Sequence, residues 1–208
     1  MFGIKVLEER KSEYNGDIKV VRSLGYGTYI QVEGLTQSGG IVESIWKSTL
    51  KRIAYSQKRI VKNCLILGLG GGSAAKLVRK YWPDCKITGV DIDPVMAELG
   101  KKYLGLGQIR MEIEICDALT YPLSTVRCDL VIVDLYCGDE FPKKFESKRF
   151  RSLVHGLLTD SGVAVFNRLY YGEKRKEAVK FGNKLEKIFK NVEWFYPQAN
   201  LMLLCYNK

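Results

Sequence analysis

The sequence predicts an α/β protein: a doubly wound, mostly parallel sheet of seven strands, preceded by a small N-terminal antiparallel sheet. Three observations carry this. From residue 63 onward, short apolar runs alternate with amphipathic stretches, the rhythm of parallel βαβ units. Residues 64–73, CLILGLGGGS, set a glycine turn between one such run and a helix start. The first ~40 residues instead alternate apolar and polar positions with period two, as antiparallel strands do.

Element by element, IKVLEER, DIKVVRS and TYIQVEG read as three strands, punctuated by Asn15-Gly16, Gly25, Gly27 and Gly34. Residues 43–60 carry Ile45, Trp46, Leu50, Ile53 and Ala54 at helical spacing. Strands then fall on CLILGL, KITGVDI, MEIEIC, CDLVIVDL and GVAVFN, separated by helices such as SAAKLVRKYW, PVMAELGKKYL and EKRKEAVKFGNKLEKIF. VEWFYP and LMLLCYN have no helix between them, so they pair antiparallel at one edge. The expected division is an N-terminal strand region, 1–42, and a doubly wound Rossmann-like domain, 43–208.

Composition narrows the class. The chain has 208 residues and 46% hydrophobic content, in the range of one globular domain. No apolar run approaches the ~20 residues that span a bilayer, and MFGIKVLEERK lacks a signal-peptide layout, so a cytoplasmic location is expected. Six cysteines without a CxxC or a Cys/His cluster argue for free thiols and no metal site. The one histidine, His155, lies on a helix as a structural residue. A formal charge of +10 favours anionic partners. Its carriers, KSTLKR, SQKRIVK, FPKKFESKRFR and YGEKRKEAVK, read first as solvated faces. A weak nucleic-acid contact through that surface is the partner they allow.

The chemistry-bearing residues stand at strand ends. Gly68, Gly70 and Gly72 form G-x-G-x-G directly after a buried strand, where backbone turns sharply and helix N–H groups await an anion. Ser73 occupies the last position of the dinucleotide pattern G-x-G-x-x-G, which disfavours NAD. Asp91 ends the second strand, where a carboxylate takes ribose hydroxyls. Asp117 follows the third, where an acid accepts from an adenine amino group, and Asp134 ends the fourth. Each alone is explained as a helix cap or loop acid; three in series are not.

With these residues in hand, the chain resembles the spermidine-synthase-like branch of the class I AdoMet-dependent transferases over nearly its whole length. LGLGGGS, VDIDP at 90–94, CDAL at 116–119 and VDL at 133–135 match the core motifs in order, and Gln37 and Glu43 match a leading Q…E segment. The resemblance implies a Rossmann-like class I methyltransferase fold. It assigns the ribose to Asp91 with Ile92 beside it, adenine to Asp117 with Ala118, the cofactor's tail to Gln37, and catalysis to Asp134. Trp46, Tyr136 and Asp139 fall on the acceptor side. The cofactor implied is S-adenosylmethionine or its decarboxylated form, without a metal, and a homodimer is the assembly implied.

Departures from the pattern touch the polyamine pocket. Gly71 stands where the branch has an aspartate beside the cofactor's amino group, Cys137 replaces the second acid of D-x-x-D, and Trp46 and Ser48 replace Y-x-E. A diamine's two charges need carboxylates in place of water. Asp139 and Glu140 are the substitutes the same loop offers. Three readings follow: methyl transfer from AdoMet to a nitrogen acceptor, aminopropyl transfer to an amine, and a non-catalytic nucleoside- or RNA-binding module.

Overall fold

The computed structural model describes residues 3–56, 59–122 and 127–207. Strands β1 (Ile4–Ser12), β2 (Gly16–Ser23), β3 (Gly27–Val32) and β4 (Leu35–Gly39) form an antiparallel sheet in that order. Its alternation buries Ile18, Val20, Ile30 and Val32 against Met96 and Leu99. β4, with sequence LTQSG, is absent from the sequence-based expectation because it is short, polar and without alternation. It forms because Glu33 and Gly34, with φ of 49° and 81°, make a tight hairpin that returns the chain along β3.

Helix α1 (Gly40–Lys51) begins three residues before the expected start and ends at Lys51. A wider π turn, Arg52–Ser56, follows and keeps Ile53 in the core. The expected helical run extends over residues 57 and 58, which lie outside the described residues.

The second sheet comprises β5 (Asn63–Leu67), β6 (Lys86–Asp91), β7 (Glu112–Ile115), β8 (Cys128–Val133), β9 (Leu158–Leu169), β10 (Asn191–Phe195) and β11 (Asn200–Tyr206). Their order is β10-β11-β9-β8-β5-β6-β7. β5 to β9 run parallel, while β11 is antiparallel to both β9 and β10, as the helix-free connection at the end of the chain implies. α1 and α2 (Ser73–Tyr81) pack in the core on one face. α4 (Lys148–Leu157) and α5 (Lys174–Leu185) pack on the other. Strand order reverses between β5 and its neighbours β6 and β8, so a crevice opens beyond their carboxyl ends. Among the described residues no helix is long and apolar enough to cross a membrane.

α3 (Pro94–Tyr103) closes the crevice from the N-terminal side. Asp93 caps it, accepting the Val95 N–H at 2.9 Å, and its buried carboxylate also takes Ser12 Oγ at 2.5 Å and Asn15 Nδ2 at 2.6 Å. The first sheet is thus tied to the start of α3 by a polar knot centred on the fully buried Asp93. α3 approaches the glycine turn so closely that a Cβ on Gly100 would sit 2.7 Å from Gly71 Cα. Gly100→Ala is therefore expected to cost about 1–3 kcal/mol by overpacking. Gly156→Ala in α4, where a Cβ meets nothing within 4 Å, should gain about 0.5–1 kcal/mol. Urea unfolding of both variants checks this; equal stability would show that the α3 contact is loose.

Candidate active site

The crevice is a cavity of about 470 Å³. The turn after β5 forms its floor. Gly68, with φ of 89°, passes so close to β8 that a Cβ there would lie 2.1 Å from the Asp134 carbonyl oxygen, so only glycine fits. Gly70 donates its N–H to Asp91 Oδ2 at 2.6 Å, and Gly71 donates to Ser38 Oγ at 2.7 Å. In return the Gly39 N–H donates to Ser73 Oγ at 2.7 Å, so β4 and the start of α2 are clasped from both sides.

Gly68 and Gly70 line the cavity, whereas Gly72 does not: it faces Leu106, 2.6 Å from where its Cβ would stand. Gly71 likewise meets Ile30, Leu104 and Ser38 rather than the cavity. These two glycines serve close packing of protein on protein. A side chain at position 71 has no room without moving Ile30 and Ser38 of the first sheet and Leu104 after α3.

Three carboxylates line the wall in different environments. Asp91 also accepts the Asp93 N–H at 2.9 Å; burial pushes its carboxyl up, and the backbone donors at Asp93 and Gly70 oppose that. Burial also pushes Asp117 up, but the Leu119 N–H and the Lys144 ammonium outweigh it and leave the group below its usual value. Ile92 and Ala118 stand beside these acids on the same wall. Gln37, from β4, crosses to the loop after β8 and donates to the Gly138 carbonyl at 2.9 Å.

Asp134 lies deepest. Trp46 Nε1 of α1 donates to its Oδ2 at 3.0 Å, and Asn167 Nδ2 of β9 donates to its Oδ1 at 2.7 Å. Asn167 is itself held by Asn200 Nδ2 of β11 at 2.7 Å. Burial raises the Asp134 carboxyl to about 6 despite both donors, with the Asp91 charge adding to the rise. Because that value lies above the 3.8 of an unburied aspartate, the ionised group subtracts stability above pH 6. The penalty fades as pH falls from 6 toward 4.

The part of the wall that the sequence reading gives to an acceptor is aromatic. Tyr136 lines it with its ring while its hydroxyl accepts the Leu169 N–H at 2.8 Å. Tyr14, Trp46 and Tyr171 complete the wall. Asp139, expected there, is absent from the cavity lining: its carboxylate pairs with Lys174 at 3.2 Å. Glu140 is drawn into a backbone bridge with Cys137. Sequence reading missed Asn167, Asn200, Ser38 and Lys144. Among the described residues no cluster of three or more His, Cys, Asp or Glu is arranged to hold a metal.

Comparison with known proteins agrees with this geometry. A methyltransferase domain family matches residues 64–156. A spermine synthase of Saccharomyces cerevisiae is 26% identical over 93% of this chain and 69% of its own. The eEF1A lysine and N-terminal methyltransferase of Homo sapiens is 30% identical over 68% of this chain, which spans only 22% of that protein. A spermidine synthase solved with the transition-state analogue AdoDATO superposes with a TM-score of 0.79 at 18% identity, covering 98% of this chain and 73% of that one. Fold and matched domain define a class I methyltransferase-fold protein. Within that fold the chain is similar over nearly its whole length to spermine and spermidine synthases, and over its core to a methyltransferase domain.

Trp46→Phe removes the indole donor from Asp134 and should raise its pKa above 6, because that bond favours the charged form. A carboxyl-carbon NMR titration measures it, and an unmoved midpoint would disprove the coupling.

Proposed function

We propose that the protein transfers a methyl group from S-adenosylmethionine to a nitrogen acceptor. The observation that carries this is the distribution of carboxylates. Asp91 and Asp117 suit the ribose and the adenine edge, which leaves Asp134 as the one acid among the cavity-lining residues to meet an acceptor. A polyamine brings several ammonium groups and would need more. The turn 68–73 also holds no acid, and α2 has none in its first turn, so nothing there repels the α-carboxylate of AdoMet.

The cavity fits such a nucleoside in volume and in its donor set: two acids at adjacent strand ends, exposed backbone at Gly68 and Gly70, and apolar Ile92 and Ala118 between them. AdoMet supplies an electrophilic carbon beside a sulfonium. In the exchange the acceptor nitrogen forms its bond to that carbon as the carbon–sulfur bond breaks, and sulfur leaves as a neutral thioether. Asp134 orients the acceptor and takes its proton, while Trp46 and Asn167 fix the carboxylate. Tyr136 and Tyr171 flank the acceptor and exclude water.

Aminopropyl transfer is the second reading. The spermine synthase match over 93% of the chain favours it, against 68% for the methyltransferase match. Product analysis separates the two. Incubation with AdoMet and amine-bearing acceptors should release S-adenosylhomocysteine; methylthioadenosine formed from decarboxylated AdoMet only when an amine is added, together with the aminopropylated amine, would establish the second reading instead. Asp134→Asn should lower kcat about 10²–10⁴-fold with little change in AdoMet affinity by calorimetry. The wild-type rate should climb with pH through about 6 and then level, because the ionised carboxylate is the active form. Full activity in Asp134→Asn would remove its role.

A further inference from the structure

The +10 charge is not spread over the molecule. Between residues 47 and 86 stand ten Lys and Arg and a single acid, Asp84, and the rest of the chain is balanced to within one charge. This segment runs from the last turns of α1 through β5 and α2 to the first residue of β6, and the two helices pack side by side on one face of the main sheet. Lys47, Lys51, Lys76 and Lys80 are exposed on the two helices, and Lys62 and Lys86 are exposed at the amino ends of β5 and β6. Lys58 lies outside the described residues.

The face is shaped as well as charged. A groove of about 720 Å³ runs between α1, α2 and the β2–β3 hairpin, lined by Lys47, Lys76, Arg79, Tyr26 and Tyr103. Lys76 is partly offset by Glu43, at 3.3 Å. Lys47 and Lys51 on α1, and Lys76 and Lys80 on α2, form two rows with about 6 Å between successive charges along each helix. Tyrosines border the rows: Tyr26 is 61% exposed and Tyr55 is 65% exposed, and Tyr55 meets Tyr81 of α2 edge-on at 5.9 Å.

We infer that this face binds single-stranded nucleic acid, phosphates along the lysine rows and bases on the exposed tyrosine rings. Charge complementarity demands a polyanion. Rings interleaved with the cations select one that carries planar groups, because every base offers a face to stack. Exposed aliphatic side chains are also present, Leu24 on the β2–β3 turn at 94% and Ile60 at 78%, but they stand singly and form no row along the lysines such as insertion into an anionic lipid surface uses. The inference stands apart from the cavity and from the transfer reaction proposed for it.

The test is fluorescence anisotropy with a labelled 20-nucleotide RNA of mixed sequence across a salt series from about 50 mM. Two charge-reversed proteins are compared: Lys47, Lys51, Lys76 and Lys80 each to Glu, and a control with Lys143, Lys148, Lys180 and Lys187 each to Glu. The wild type should bind with a steep salt dependence. The first variant should lose at least about 30-fold in affinity, with its log–log salt slope reduced by about 3, four phosphate contacts at ~0.7 each. The control should lose less than about threefold. Tyr26→Ala with Tyr55→Ala should weaken binding about tenfold without changing the slope. Melting temperature and AdoMet calorimetry on every variant report folding and the cavity separately. Absence of binding at the lowest salt, equal loss in both charge variants, tighter binding of a duplex, or binding of polyglutamate or phosphatidylserine vesicles in place of RNA would each overturn the inference.

Discussion

Two buried hydroxyls, Ser38 and Ser73, hold the two halves of this molecule in register. Each accepts a backbone N–H from the other's segment at 2.7 Å, Ser38 from Gly71 and Ser73 from Gly39. Both residues are buried, so losing either hydroxyl strands an amide where water cannot replace it, at a cost of about 1–3 kcal/mol. The rest of the cleft is dimensioned from this clasp. Gln37 precedes Ser38 and reaches across to Gly138. Gly70 precedes Gly71 and anchors Asp91. α1 begins directly after Gly39, which sets the distance at which Trp46 meets Asp134.

Given that frame, one chemical group is tuned three ways. Asp117 lies near the mouth with a cation and is held ionised. Asp91 is half-buried and desolvated but supplied with backbone donors that oppose the desolvation. Asp134 is half-buried at the cleft, desolvated, held by two neutral donors and pushed up to about 6. A proton acceptor working near neutral pH benefits from a value close to the operating pH, and a purely structural ribose or adenine contact does not need one. The separation of the roles proposed for the three acids therefore follows from desolvation and partner type at each strand end.

Much of this was legible in the sequence, because strand ends and strand order are local and topological facts. An apolar run stops, an acid stands there, and parallel topology brings the stops together; this placed Asp91, Asp117 and Asp134 around one cavity before any coordinates. What resisted reading depends on contacts far apart in the chain. Asn167 and Asn200 look like ordinary polar residues in or beside apolar strands, yet they complete the Asp134 network across three strands. Asp139 was legible as an acid in the right loop, but loop position says nothing of direction, and Lys174 holds it outside. The glycines mislead in the opposite sense. Gly68 and Gly70 approach the cleft, whereas Gly71 and Gly72 yield space to Ile30, Leu104 and Leu106. A glycine motif records that something comes close, and at all four positions here that something is the protein itself, the Asp134 carbonyl at Gly68 and Ser38 Oγ at Gly70 included.

Helices α1 and α2 show how one element serves two environments. Their inward sides carry Ile45, Trp46, Ala74 and Ala75 into the core and the cleft wall, which fixes their apolar positions. That leaves the outward positions free of packing constraints, and they are filled almost wholly with one sign of charge. Solubility alone is served as well by mixed charges, which is how the rest of this surface is built. Crowding like charges on two adjacent helices costs self-repulsion that a mixed surface avoids. A counter-charge presented from outside relieves that cost, so the physical signature of this face is that of a surface completed by a polyanionic partner.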